Sequence, residues 1–136
     1  MDHRTKKTIK QKIGHLPTVF DRVSPELLAA MPYEYPGKPI DITITTDEFT
    51  CLCPWSGLPD FADLTIIYTP KKTVIELKSL KYYLHSFRQV GMVHESVVNR
   101  IKDDLLAAIK PLRLTVELKF NTRGGISTAV RASFGK

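Results

Sequence analysis

The chain has 136 residues, 43% of them hydrophobic, and a formal net charge of +6. This length and composition are typical of one globular domain. No apolar run approaches the roughly 18 residues that a membrane-spanning helix needs, and the charged N-terminus lacks the apolar stretch of a secretory signal. The cysteines, Cys51 and Cys53, stand too close in sequence for an ordinary disulfide, which favours a reducing, cytoplasmic setting.

The positive charge is concentrated at the N-terminus. Residues 1–12 contain five basic side chains and one acidic one, which leaves a net charge of only +2 for the other residues. A basic segment of this kind is usually a solvated tail. The alternative is a short arm that binds RNA or a neighbouring subunit, but the nearly neutral body predicts no direct binding of nucleic acid.

Residues 1–38 are predicted to form an extended segment that wraps around the rest of the chain. Four prolines lie in this segment and a fifth follows at once, so only a short helical turn is expected, at residues 25–28. The remaining residues, 39–136, are predicted to form one domain. This domain begins with a strand over residues 40–50, where isoleucines alternate with polar residues.

Strands then give way to helices. A loop rich in proline and glycine covers residues 53–60, and short strands are predicted near residues 64–68 and 73–77. Apolar residues at helical spacing predict a first helix from about Lys78 and a second helix over residues 95–110, which the next proline ends.

The chain ends in a predicted hairpin. Residues 112–120 and 126–130 alternate between apolar and polar side chains, and a turn with two glycines joins them over residues 121–125. The order of strands, helices and strands indicates an α+β domain in which two helices cover one face of an antiparallel sheet.

Cys53 and Asp60 are candidates for catalysis. Cys53 lies where a strand gives way to the loop, and a partly exposed thiolate is a strong nucleophile. Asp60 ends the same loop, and a carboxyl group beside a thiol can act as a general acid or base. Taken alone, such a cysteine is more often a small buried residue and such an aspartate a turn residue, so both interpretations stay open. A second pair of ligands at zinc spacing is missing, so no metal site is predicted.

His94 and Glu95 open the second predicted helix. A glutamate at this position can stabilise the helix through the macrodipole. It can equally accept two N–H groups from the edge of a guanine-like ring, while the histidine donates, accepts or transfers a proton. The residues themselves favour neither interpretation.

A row of basic residues follows one side of the first predicted helix, at spacings of three and four residues: Lys78, Lys81, His85 and Arg88. Such a row can hold the phosphates of a dinucleotide, although a solvated face is the commoner case. The glycine-rich fingerprint of the usual dinucleotide-binding fold is absent from the sequence, so a cofactor would bind by another route.

Three segments together resemble the NADPH-dependent 7-cyano-7-deazaguanine reductases, in their short, single-module branch. Residues 76–83, with the sequence ELKSLKYY, resemble the signature that separates these reductases from the GTP cyclohydrolases of the same tunnelling fold. Residues 48–54 and 59–61 resemble the nucleophile loop of the reductases, and residues 93–95 resemble their substrate-binding element. The resemblance runs from about residue 49 to residue 125.

The resemblance implies a role for each matching residue. Cys53 would be the nucleophile that forms a thioimide with the nitrile, and Asp60 would be the proton donor. Glu95 would bind the guanine-like edge of the substrate. The substrate, 7-cyano-7-deazaguanine, would contact Ile75, Glu76, Leu77, His94 and Glu95, and NADPH would contact Lys78, Ser79 and Lys81, with Arg88 and Arg123 added from charge and position.

The resemblance also implies the reaction and the assembly. NADPH would reduce the nitrile to the primary amine of 7-aminomethyl-7-deazaguanine, a step in the making of queuosine in transfer RNA, without a metal. Tunnelling-fold subunits join their sheets into a barrel with active sites between neighbours, so a homo-oligomer is expected. The alternatives are an amidine-forming enzyme of the same fold, which needs no dinucleotide, and a non-catalytic RNA-binding module. A GTP cyclohydrolase is disfavoured because its zinc ligands are not apparent.

Overall fold

The computed structural model of the protein describes residues 2–14 and 21–136, and its first element is a helix, α1 (His3–Gly14). The carboxylate of Asp2 accepts a hydrogen bond of 2.7 Å from the backbone N–H of Thr5, as in a helix N-cap. The prediction that residues 1–38 hold no element beyond a short turn is therefore wrong, because the prolines behind that prediction all follow α1. Pro17, one of them, lies outside the described residues.

The segment after α1 belongs to the packed structure. A short 3-10 helix (Pro25–Leu27) confirms the predicted turn, and β1 (Ala30–Pro32) pairs with β4 (Thr73–Ile75) in a two-stranded antiparallel sheet. Val23 and Leu28 are buried in the same core as the residues that follow. The domain boundary at residue 38 stays a prediction.

The main sheet has four antiparallel strands in the order β2, β3, β5 and β6. Their bounds are β2 (Ile42–Leu52), β3 (Pro59–Thr69), β5 (Arg113–Arg123) and β6 (Ile126–Phe134). Between them lie α2 (Leu77–His85) and α3 (His94–Ile109). The α+β class and the antiparallel sheet are confirmed, with three helices in the described residues and not two.

Three predicted boundaries are wrong. The hairpin turn is shorter than the predicted residues 121–125, because β5 continues to Arg123, which pairs with Ile126. The third strand ends at Ile75, because Glu76 caps α2 and the helix starts at Leu77. The predicted loop over residues 53–60 is shorter, because Pro59 and Asp60 already pair in β3.

None of the helices in the described ranges is long and apolar enough to cross a membrane.

One face of the sheet and the helices enclose the core. Along β3 and β5 every second residue is buried, as the alternation predicted, and each such side chain contributes roughly 1.5–3 kcal/mol of hydrophobic stabilisation. The buried side chains include Leu64, Ile66, Tyr68, Leu114, Val116, Leu118 and Phe120 from the sheet, and Leu80, Tyr83, Val97, Ile101 and Leu105 from the helices.

Two irregularities near the ends of the strands change which residues face the core. Between Thr46 and Phe49 the register of β2 against β3 shifts by one residue, and between Phe120 and Arg123 the register of β5 against β6 shifts likewise. In both cases the extra residue lies in the first strand of the pair, which is the pattern of a β-bulge. Before each bulge the even-numbered residues of the strand point to the helix-covered face, and after it the odd-numbered residues do. The candidate site lies beyond both bulges.

Candidate active site

Cys53 lies directly after β2, in a tight loop that returns to β3. Its N–H donates to the carbonyl of Leu58 at 2.8 Å, and its carbonyl accepts from the N–H of Gly57, also at 2.8 Å. Gly57 has a φ of 71°, a left-handed conformation that glycine adopts without strain. The two hydrogen bonds close the loop and leave the thiol of Cys53 partly exposed.

Hydrogen-bond donors surround the thiol of Cys53. The hydroxyl of Ser56 lowers the pKa of Cys53 below its ordinary value of 9.0, and the backbone N–H groups of Ser56 and Trp55 lower it further. Cys51 is fully buried in β2, and burial raises its pKa to about 12. Because the thiolate is the reactive form, the lowered pKa of Cys53 favours it over the buried Cys51 as a nucleophile.

Ser56→Ala is expected to slow the reaction of Cys53 with an alkylating reagent. The substitution raises the pKa of Cys53, so a smaller fraction is thiolate near neutral pH. The effect is largest below that pKa and disappears as the pH rises above it. At about pH 7 the rate of iodoacetamide alkylation should fall roughly two- to tenfold, the worth of one hydrogen bond. Ser56→Thr keeps the hydroxyl and is the control. Equal rates for Ser56→Ala and the native protein at every pH would contradict this cause.

Asp60 lies in β3 opposite Cys51, and both of its carboxylate oxygens have partners. Nε2 of His94 lies 3.2 Å from Oδ2 of Asp60, and Nη1 of Arg123 lies 3.0 Å from Oδ1. The hydroxyl of Thr50 donates to the carbonyl of Asp60 at 2.8 Å and fixes its backbone. The carboxyl group is therefore fixed in position and direction, with its side chain 13% exposed.

His94 and Glu95 form the first turn of α3, next to Asp60. The imidazole of His94 stacks on Phe120, with ring centroids 3.5 Å apart and planes within 4° of parallel. This stacking and the contact with Asp60 hold the ring in one orientation. Glu95 is exposed, and the residues before the helix are tied to the Cys53 loop by hydrogen bonds from Leu52 to Val90 and from Met92 to Leu52.

A single cleft brings together five of the residues that the sequence singled out. Cys53, Asp60, His94, Glu95 and Arg123 all line it. A thiol, a carboxyl group and an imidazole in one cleft are groups that can act as a nucleophile, a proton donor and a partner that orients the donor. In the described ranges, no group of three or more histidine, cysteine, aspartate or glutamate side chains is placed to hold a metal ion.

The segment at the start of α2 lies outside this cleft. Ile75 is buried, Leu77 is 61% exposed, and the carboxylate of Glu76 caps the helix by accepting from the N–H groups of Lys78 (2.8 Å) and Ser79 (2.7 Å). Ser79 is fully buried, and its hydroxyl donates to the carbonyl of Glu76 and accepts from the N–H of Ala29. The hydrogen bonds of Ser79 therefore connect α2 to the N-terminal segment.

A second cleft lies between α2 and β2. The basic side chains of Lys81, His85 and Arg88 line it, together with the carboxylate of Glu48. Burial lowers the pKa of His85, and the positive charges of Arg88 and Lys81 lower it further, so His85 is largely neutral at pH 7. Lys81 and Arg88 therefore supply the positive charge. Apolar side chains complete the cleft: Ile44, Phe49, Leu77, Leu80 and Leu84.

The sequence did not single out two residues that shape the site. Ser56 lowers the pKa of Cys53 from within the loop, and Phe120 supports His94 from the end of β5. A hydroxyl three residues after a candidate nucleophile is a usable signal for Ser56. Nothing local to Phe120 indicates its role, because the contact joins residues 26 positions apart.

Comparison with known proteins gives relatives over most of the chain. The model of the QueF-like protein family matches residues 59–136. The NADPH-dependent 7-cyano-7-deazaguanine reductase of Caldicellulosiruptor bescii is 50% identical over 117 residues, which are 86% of this chain and 89% of the relative. The protein of the same name from Caldanaerobacter subterraneus subsp. tengcongensis is 46% identical over 117 residues, 86% of this chain and 87% of the relative.

A solved structure has the same fold. The apo form of the archaeosine synthase QueF-Like matches with a TM-score of 0.68 and 23% sequence identity, over 73% of this chain and 97% of that chain. At this identity the likeness shows the fold alone. The family model and the relatives at 50% and 46% identity show the family. The chain belongs to the QueF-like family, among the NADPH-dependent 7-cyano-7-deazaguanine reductases.

Proposed function

We propose that this protein uses NADPH to reduce the nitrile of 7-cyano-7-deazaguanine to the primary amine of 7-aminomethyl-7-deazaguanine. The observation that carries the proposal is the meeting of Cys53, whose pKa is lowered, with Asp60, His94 and Glu95 in one cleft. Relatives that carry the name of this activity match 86% of the chain.

Cys53 makes the nitrile reducible. A nitrile carbon accepts hydride slowly, so attack by the thiolate of Cys53 comes first and forms a carbon–sulfur bond. The triple bond becomes the C=N double bond of a thioimide, and the nitrogen takes a proton from Asp60. His94, 3.2 Å from Asp60, is placed to return a proton to the carboxylate.

The remaining steps are two reductions. NADPH, when bound, supplies one hydride to each of them. After the first reduction the carbon–sulfur bond breaks, the thiolate of Cys53 leaves and an imine remains in the cleft. The second reduction and one more proton give the amine. Overall, one nitrile, two NADPH and two protons yield one primary amine and two NADP⁺.

Glu95 and His94 are the groups that recognise the substrate. A carboxylate can accept two N–H groups from the amino-pyrimidinone edge of a guanine-like ring. Glu95 is exposed and lines the same cleft as Cys53 and Asp60, as such a role requires. A ring held by Glu95 would present its nitrile to the same cleft that the thiol of Cys53 lines.

The cleft between α2 and β2 fits a dinucleotide phosphate. The ammonium group of Lys81 and the planar guanidinium group of Arg88 can both bind phosphate groups. The apolar side chains provide a surface for flat rings. Lys78 is exposed on the same helix and extends the row of charge. Ser79 is buried and stabilises the start of this helix through its hydrogen bonds with Glu76 and Ala29.

Removing positive charge from this cleft is expected to weaken the binding of NADPH more than the binding of NADH. Lys81→Ala and Arg88→Ala each delete a contact to phosphate, which corresponds to roughly a tenfold rise in the KM for NADPH. The effect falls on KM because the reacting groups lie in the other cleft. Steady-state kinetics with both cofactors measure it, with Lys71→Ala, an exposed lysine of the β3–β4 turn, as the control. An unchanged KM in both variants would place the cofactor elsewhere.

A homo-oligomer completes the site. In the described part of the chain, β2 and β6 are the edges of the four-stranded sheet, and such edges pair readily with another copy. Joining them would build the barrel of the tunnelling fold. Exposed apolar side chains near the cleft, including Trp55 at 87% and Ile126 at 72%, would then be covered. In this arrangement Ile75, Glu76 and Leu77 line the substrate site of a neighbouring subunit.

The expected location of the protein is the cytoplasm.

One assay separates this function from its alternatives. The purified protein is mixed with 7-cyano-7-deazaguanine and NADPH, and NADPH absorbance and product mass are followed together. Two NADPH consumed per amine formed is the expected result. An amidine formed from ammonia without NADPH consumption would identify the amidine-forming enzyme. No product together with salt-dependent binding of RNA would favour the binding module.

A further inference from the structure

We infer that Arg123 is a positioning residue for the acid Asp60 and not a contact for NADPH. The inference rests on the proposed reduction, in which Asp60 gives a proton to the nitrile nitrogen. Its evidence is the geometry at the end of the β5–β6 hairpin, where one guanidinium group holds two consecutive residues of β3.

The β-bulge at the end of β5 turns Arg123 toward the site. In β5 the buried residues have even numbers up to Phe120, so a regular strand would turn Arg123 to the opposite face. The extra residue between Phe120 and Arg123 reverses this parity. The side chain of Arg123 therefore lies at the start of β3, on the same side as Asp60.

The guanidinium group of Arg123 makes a two-point contact. Nη1 lies 3.0 Å from Oδ1 of Asp60, and Nη2 donates to the carbonyl of Pro59, also at 3.0 Å. One contact binds the carboxylate and the other binds the backbone just before it, so the acid is fixed relative to its own strand. A planar group with several N–H donors suits this double contact better than a lysine would.

Arg123 contacts only one of the two carboxylate oxygens of Asp60. Oδ1 pairs with Arg123 and Oδ2 with His94, and all three residues line the cleft that contains Cys53. The fixed positive charge stabilises the carboxylate that forms when Asp60 releases its proton. Lys81 and Arg88 line the separate cleft between α2 and β2, so the proposed cofactor site does not require Arg123.

The test measures the step in which Asp60 acts, without NADPH. The rate of thioimide formation with 7-cyano-7-deazaguanine is followed for the native protein, Arg123→Gln, Arg123→Lys, Asp60→Asn and the double variant Asp60→Asn/Arg123→Gln. Arg131→Gln is the matched control, because Arg131 pairs with Glu117 on the same hairpin. Circular dichroism verifies that each variant is folded.

The expected result is a loss that depends on Asp60. Arg123→Gln should slow thioimide formation on the order of 10²-fold, as a misplaced catalytic group does, and Arg123→Lys should recover part of the rate. The KM for NADPH in turnover should change less than about twofold, and in the Asp60→Asn background Arg123→Gln should have almost no further effect.

Two outcomes would overturn the inference alone. One is a raised KM for NADPH with an unchanged rate of thioimide formation. The other is a loss of rate from Arg123→Gln that is equally large with and without Asp60. A native protein that forms no thioimide would instead refute the proposed function, and this inference with it.

Discussion

Replacing Cys53 by alanine is expected to abolish turnover, by a factor on the order of 10⁴ or more, because no other group can form the carbon–sulfur bond. Cys51 cannot substitute for it, since burial keeps Cys51 protonated and away from the cleft. NADPH oxidation in the presence of 7-cyano-7-deazaguanine measures the loss.

Cys51→Ala is the matched control for this prediction. It removes a thiol two residues away and should retain most of the activity, at a cost of about 1 kcal/mol of folding stability for the buried sulfur. Thermal unfolding measures that cost separately from turnover. If Cys51→Ala were inactive while Cys53→Ala kept its activity, the assignment of the nucleophile would be wrong.

Replacing Asp60 by asparagine is expected to lower kcat about 10²- to 10⁴-fold, the range for loss of a general acid. Asparagine has nearly the same shape, and its oxygen can still accept from Arg123 or His94. It cannot supply the proton that the nitrile nitrogen needs. The KM for the substrate should change little, because the proposed ring-binding residues, Glu95 and His94, are unchanged.

Asp63→Asn serves as the control for Asp60→Asn. Asp63 lies in the same strand and is exposed, and its side chain points to the opposite face of the sheet from that of Asp60. Asp63→Asn therefore removes the same charge at a position outside the cleft. Steady-state kinetics of the two variants, at equal pH, separate the loss of the acid from a change in overall charge. A loss of less than about threefold in Asp60→Asn would exclude Asp60 as the proton donor.

The alternating strands and amphipathic helices could be predicted because their signal is local. Leu64, Ile66 and Tyr68 repeat every second residue, and burial along β3 follows that period. The helix α1 was missed because the prolines beyond it dominated the interpretation of residues 1–38. The helix is polar over most of its length, so no apolar period marked it.

The two β-bulges could not be predicted from the alternation. Continuing the period from Ile42 and Ile44 would place Thr50 and Leu52 on the core face, yet Phe49 and Cys51 occupy it. A bulge is set by pairing with the neighbouring strand, and that pairing is not encoded in a local period.

The membership of the site was partly predictable. Cys53, Asp60, His94 and Glu95 followed from a family resemblance, and the structure places them in one cleft. The assignment of Arg123 to the cofactor followed from charge and position in the sequence. Its contact with Asp60 spans 63 positions in the chain and depends on a bulge, so only the folded structure makes it visible.

The central claim is that Cys53 attacks the nitrile carbon, and intact mass spectrometry tests it most directly. The native protein is incubated with 7-cyano-7-deazaguanine in the absence of NADPH, then digested and mapped. The expected result is a mass increase equal to one substrate molecule on the peptide that contains Cys53, absent in Cys53→Ala and reversed when NADPH is added. An unmodified protein, or an adduct on Cys51, would contradict the mechanism.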